Sequence, residues 1–203
     1  QSDAVLEENG EFNEDYIFAG NSLEFSGRTD DLYFAGKRLL FDGTTIAGLK
    51  AFGENITVNG TVGNDMITGA GMLQINGWIK GTAFLGGKDC ILRSDSVIDG
   101  SVFMGAGYAE LSGVINGDLY VGSGEVYLKG TINGNVKAGT GKITLDEGAR
   151  INGNLEYSSE KELSSLEEER VTGSVTYTDF EAWKGMDKAG MEKAFKTIGF
   201  VFN

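Results

Sequence analysis

The 203-residue sequence contains no histidine, no proline and a single cysteine. Without histidine the chain lacks the commonest metal ligand and the usual neutral-pH proton shuttle, which removes most catalytic triads and zinc sites. Cys90 has no partner for an internal disulfide and no imidazole to activate it, so beside Leu92 it reads as a small buried apolar residue. No run of about 18 apolar residues occurs, so nothing in this stretch reads as a membrane-spanning helix. Positive charge is scarce too, with 17 basic against 30 acidic residues and a net charge of −13. Such a chain repels phosphate backbones and anionic bilayers alike, which argues against nucleic acid as a partner.

Against these absences stand 32 glycines. Collagen or turn-rich disorder would need proline as well, so the glycines are expected to serve tight, repeated turns in one domain. One pattern recurs along most of the chain: apolar, any, Gly, any, apolar. The best copies are Ile115-Asn-Gly117-Asp-Leu119, Ile132-Asn-Gly134-Asn-Val136 and Ile151-Asn-Gly153-Asn-Leu155. Weaker copies centre on Gly27, Gly43, Gly60, Gly81, Gly100 and Gly173, at spacings of 16 to 21 residues.

Around each copy the alternation has the period of two that marks strands. Val126, Leu128, Gly130, Ile132, Gly134, Val136 and Ala138 form one inward set. Ala109 to Val121 and Leu73 to Leu85 repeat it in the same register. Inward glycines suit a narrow coil, where a bend toward the axis leaves no room for a side chain. Second clusters (Gly105 and Gly107, Gly122 and Gly124, Gly139 and Gly141) are expected to close a sharper corner with positive φ. The sequence thus predicts an all-β fold, a single-stranded parallel β-helix of about nine coils stacked about 4.8 Å apart. Asn116, Asp118, Lys129, Lys137 and Lys142 fall on the outside.

Residues 1 to 14 are acidic and weakly patterned and read as a flexible lead-in, residues 15 to 178 as the solenoid, and Glu160 to Arg170 as a solvated excursion from it. From Asp179 the period becomes helical, so 179 to 203 are expected to form a C-terminal α-helix and apolar tail, with Phe180, Trp183, Met191, Ala194, Phe195 and Ile198 near one stripe. Repeat arrays expose unpaired backbone at both ends. The candidates for end-capping or self-association are therefore Tyr16 and Phe18 at one end and Phe180, Trp183 and Phe195 at the other.

No catalytic, cofactor-binding or metal-binding residues are predicted. Asp99 and Asp118 sit at outward positions as a solvated face rather than a carboxylate pair. Gly63 to Gly71 resembles one degenerate calcium-binding nonapeptide without the stacked neighbours that share each ion. The Gly-x-Gly pairs lack the Lys-Ser or Lys-Thr of a phosphate loop.

The stacked copies Gly113-Val-Ile-Asn-Gly-Asp-Leu-Tyr-Val121 and Gly130-Thr-Ile-Asn-Gly-Asn-Val136 resemble the bactofilins, the bacterial polymer-forming cytoskeletal family, over roughly residues 15 to 178. The resemblance implies a right-handed β-helix that associates end to end without nucleotide and carries no catalytic residues. The start at Gln1, the aromatic first coil and the apolar ending Ile198 to Phe202 are closer to exported, membrane-anchored relatives. That implies a periplasmic or cell-surface bacterial protein, with a cytoplasmic one as the alternative, and membrane contact only through sequence beyond this chain.

The expected function is accordingly a non-catalytic scaffold or assembly module whose partners are copies of itself or envelope proteins, with no cofactor. The competing reading is a carbohydrate-binding or carbohydrate-cleaving β-helix, motivated by Tyr108, Tyr120, Tyr127 and Trp78 as outward aromatics. An aromatic row beside clustered carboxylates on one face would favour sugar, and scattered positions the scaffold.

Overall fold

Each repeat alternates stiff β-branched or aliphatic residues with small or polar ones, and the chain answers with one ten-residue strand and one two-residue strand per coil. In the computed structural model, which describes residues 5 to 179, the long strands follow a partial one, β1 (Val5–Glu8). The first half of the solenoid runs β2 (Tyr16–Phe25), β3 (Arg28–Thr29), β4 (Leu32–Phe41), β5 (Thr44–Thr45), β6 (Leu49–Val58), β7 (Thr61–Val62), β8 (Met66–Ile75), β9 (Trp78–Ile79) and β10 (Ala83–Leu92). The second runs β11 (Val97–Ile98), β12 (Val102–Leu111), β13 (Val114–Ile115), β14 (Leu119–Leu128), β15 (Thr131–Ile132), β16 (Val136–Leu145), β17 (Arg150–Ile151) and β18 (Leu155–Ser159). A short helix, α1 (Ser165–Glu168), precedes the last strand, β19 (Val175–Asp179).

All pairing is parallel, in an 11-stranded sheet of long strands and an 8-stranded sheet of short ones. The chain is therefore the expected parallel β-solenoid, with about ten turns. Register is constant: Ala83 pairs Val102, which pairs Leu119, which pairs Val136.

Within a typical long strand the first, third, eighth and tenth residues are buried, as in β12 and β14. The change of parity between third and eighth is a bend, so each coil has three walls: two half-strands and the short strand. Their inward side chains merge into one core running the length of the rod, with Leu49, Ile79, Val102 and Ile151 fully buried. Of the three inward runs read from the sequence, every member is buried except Gly81, Gly117 and Gly134, which are half-buried at a corner.

The glycines have two different causes. A Cβ on Gly130 would stand 2.0 Å from the Gly113 carbonyl oxygen of the preceding coil, so the stacking distance itself demands glycine there. Gly105, Gly122 and Gly139 would meet nothing within 4 Å, and none of the three has a left-handed φ. The expected positive-φ corner is thus absent from these positions: Gly107, Gly124 and Gly141 allow close backbone approach instead, since a Cβ on each would stand within 2.9 Å of a carbonyl oxygen of the coil before.

The recurrent Asn of the motif has a physical role outside the core. Asn152 donates to Asn133 at 2.7 Å, Asn133 to Asn116 at 2.8 Å, and Asn116 to the Asp99 carboxylate at 2.9 Å, an amide ladder that ends on a charge.

One expectation needs correction and another an addition. Residues 5 to 12 are a partial first coil, not a flexible lead-in: β1 pairs with Ser22 to Phe25, and Phe12 donates its N–H to Arg28. Glu160 to Arg170 is exposed over most of its length, as expected of an excursion, but it also caps an edge. Leu163 is buried with its N–H on the Tyr157 hydroxyl at 2.8 Å, while Leu145 at the end of β16 donates its N–H to Glu167 and accepts from Arg170. Side chains there replace a missing strand, which period-two reading does not detect. The helix expected over 179 to 203, with Phe180, Trp183 and Phe195, lies outside the described residues.

Candidate functional site at the two ends of the solenoid

A stacked coil is satisfied above and below, and an end coil on one side only, so unmatched backbone and apolar columns are expected at the ends. At the N-terminal end β1 covers only the second half of β2. Among the described residues no strand pairs with Tyr16 to Gly20 on the side away from β4. Tyr16 and Phe18 occupy the inward columns filled one coil later by the buried Leu32 and Phe34, yet are only half-buried.

An aromatic cluster holds this end. Phe12 and Tyr16 have ring centroids 4.9 Å apart, Tyr16 and Phe25 5.3 Å, and Phe18 stacks on Phe34 at 5.6 Å. The Tyr16 hydroxyl points to Glu8 at 3.4 Å, and burial first, then the Glu8 charge, pushes its pKa above the ordinary value. At the adjoining corner Asp31 accepts from the Gly48 N–H and from Lys50 Nζ, each at 2.6 Å. Burial would raise that carboxyl, but these donors hold it below its ordinary range.

At the C-terminal end β19 pairs with all five residues of β18, and the 160 to 170 cap closes the second half of β16, in the coil before. In the coils the first residue of a long strand donates forward, as Leu32 does to Gly48 and Leu155 to Ser174. Val175 occupies that position in the last coil, so by alternation the backbone groups of Val175 and Tyr177 face away from β18. Their side chains are half-buried, at the foot of the columns that Tyr16 and Phe18 begin.

The two ends are complementary steps. One offers five residues, Val175–Asp179, as the first half of a coil; the other offers β1 as the second half, with no strand among the described residues over the first half, Tyr16 to Gly20. Of the five candidates named from the sequence, the structure places Tyr16 and Phe18 at one end; Val175 and Tyr177, which sequence reading did not single out, hold the same columns at the other. The Val-Thr-Tyr alternation of β19 was the available signal.

The four outward aromatics do not form a row. Trp78 is on the short-strand wall, Tyr120 on the first-half wall, and Tyr108 and Tyr127 on the second-half wall. Tyr108 and Tyr127 do share their wall with Glu110 and Glu125, but Lys129 contacts Glu110 at 3.4 Å and stands 4.8 Å over the Tyr127 ring, and Lys142 pairs with Glu125 at 2.7 Å. Trp78 donates its indole N–H to Asp99 at 2.7 Å. Cys90 is fully buried, and desolvation pushes its thiol up to about 11. Among the described residues no group of three Asp, Glu or Cys is placed to hold a metal ion, and no helix is long and apolar enough to cross a membrane.

No family model matches the chain, nor does any curated protein or solved structure. The resemblance to bactofilins therefore rests on the repeat motif alone.

Proposed function

We propose that the protein is a non-catalytic scaffold that assembles end to end, the β19 end of one copy docking on the β2 end of the next. The observation that carries this reading is the matched pair of half-open coils. Continuing the internal register places Val175 beside Tyr16 and Tyr177 beside Phe18 of the following copy, five residues against five, with the β1 strand of that copy completing the coil. Parallel strand addition of this kind supplies main-chain hydrogen bonds from β19 and burial of four side chains that are half-buried in one copy. The contact is heterologous, so it propagates into an open filament rather than closing.

Tyr177→Glu spoils one end and Phe18→Glu the other. At a dilution at which Tyr177→Glu alone is monomeric in light scattering, Phe18→Glu alone should be monomeric as well, while an equimolar mixture should form dimers and stop there, since each dimer retains only spoiled ends. A wild-type chain that stays monomeric, or a mixture that does not pair, rejects the reading. Sugar binding is the second reading, drawing on Tyr108 and Tyr127 beside Glu110 and Glu125. Calorimetric titration with neutral oligosaccharides, repeated with Tyr108→Ala, tests it; no heat in wild type removes it.

A further inference from the structure

The outer surface of the first-half wall differs from the rest of the molecule. Its second-position row includes Ile67, Phe84, Phe103 and Tyr120. The rings of Phe84, Phe103 and Tyr120 stack on one another at 5.1 and 4.8 Å, within 9° of parallel. Phe103 is covered on both faces and Phe84 and Tyr120 on one face each, so the three rings form a ridge along the rod. Phe84 is 43% exposed. Beside this ridge, two residues further along each strand, stand Gly86, Gly105 and Gly122. Gly105 and Gly122 have nothing within 4 Å of a Cβ position, and Gly86 has only the Thr68 carbonyl oxygen at 3.7 Å. Neither space nor backbone conformation requires glycine there, although glycine weakens a strand interior. A ridge thus runs alongside an empty slot of the same length.

We infer that this wall pairs laterally with the same wall of a second copy, the two solenoids lying parallel. A two-fold axis parallel to the rod carries the ridge row of one copy over the glycine row of the other in the same coil. Phe84 then meets Gly86 of the second copy, Phe103 meets Gly105 and Tyr120 meets Gly122, with the reciprocal three contacts made at once. An antiparallel pairing sets ridge on ridge and leaves both slots empty.

Charge points to the same wall. The chain carries −13, yet no carboxylate lies in the two outward rows of this wall from β4 through β16, whereas the second-half wall presents Asp89, Glu110 and Glu125. This is a wall on which two copies approach without carboxylate repulsion. Its flat area over those seven strands, about 4.8 Å apart and about 13 Å wide, is about 440 Å² per copy, close to 900 Å² for the pair and in the range of weak, transient interfaces. A weak, concentration-dependent dimer follows, independent of end-to-end assembly.

The test uses Tyr177→Glu chains, whose ends are blocked, in sedimentation velocity across concentration. They should pass from monomer to dimer and no further. Adding Gly105→Val and Gly122→Val fills the slots while making the wall more apolar, so weaker pairing cannot come from lost hydrophobicity. The dimer constant should then weaken by at least about tenfold while circular dichroism and the unfolding midpoint are retained. A chain still monomeric at about 1 mM, or valine variants that dimerise equally well, overturns the inference. Failure of the end-to-end reading shows separately, as identical mass distributions for wild type and Tyr177→Glu.

Discussion

Gly130→Ala tests whether coil stacking, rather than turn conformation, demands the repeat glycines. The added Cβ would lie 2.0 Å from the Gly113 carbonyl oxygen, a backbone atom with no rotamer to escape into. Bringing that contact to the 3.0 Å that real Cβ atoms tolerate needs a shift of about 1 Å, about a fifth of the strand spacing. Gly130 donates its N–H to Leu111 at 2.9 Å and Thr131 its N–H to Gly113 at 3.0 Å, and both bonds stretch beyond use if the coils part. Leaving two such groups unsatisfied in a buried corner costs about 1 to 3 kcal/mol each, so a loss of about 3 kcal/mol or more is expected. Gly105→Ala, with nothing in its way, should instead be neutral or stabilising by up to about 1 kcal/mol. Urea denaturation followed by circular dichroism measures both. A Gly130→Ala loss below about 1 kcal/mol, or equal losses for the two variants, refutes the stacking argument.

Two further outcomes follow from the edge cap and the core. Burial alone would raise the Glu167 carboxyl, but donors on Ser164 and Leu145 hold it below its ordinary 4.5. Because its folded pKa is the lower one, its contribution is present above the unfolded value and disappears as pH falls through the folded value. The stability difference between wild type and Glu167→Gln should therefore be constant near neutrality and shrink progressively as pH falls from the ordinary 4.5 through the lower folded value, read from urea midpoints at each pH. Thr68 is buried in a column otherwise filled by apolar residues, with no hydrogen-bond partner for its hydroxyl, so Thr68→Val should stabilise by about 1 kcal/mol in the same assay, and a loss would argue for an unseen partner.

The solenoid was legible because its information is local and repeated. Val126, Leu128, Ile132 and Val136 declare their inward side by alternation alone, and the Ile-Asn-Gly copies declare the length of a coil. Repetition in one register fixes stacking without any long-range contact having to be guessed. The Asn of each motif could be placed outside, but not joined into a ladder, since that requires knowing which residue lies one coil away.

What the sequence alone determined is thus the repeat, the strand period and the single core. Everything that depends on where the stack stops was decided by tertiary structure. Val5–Glu8 becomes a strand because Ser22 to Phe25 offers an edge, and Glu167 and Arg170 become backbone partners because β16 ends uncovered. Gly105, Gly122 and Gly130 are the same letter in the sequence. Only the neighbouring coil makes Gly130 a steric necessity and leaves the other two facing open space, because a glycine's role is set by the atoms that approach it and not by the glycine.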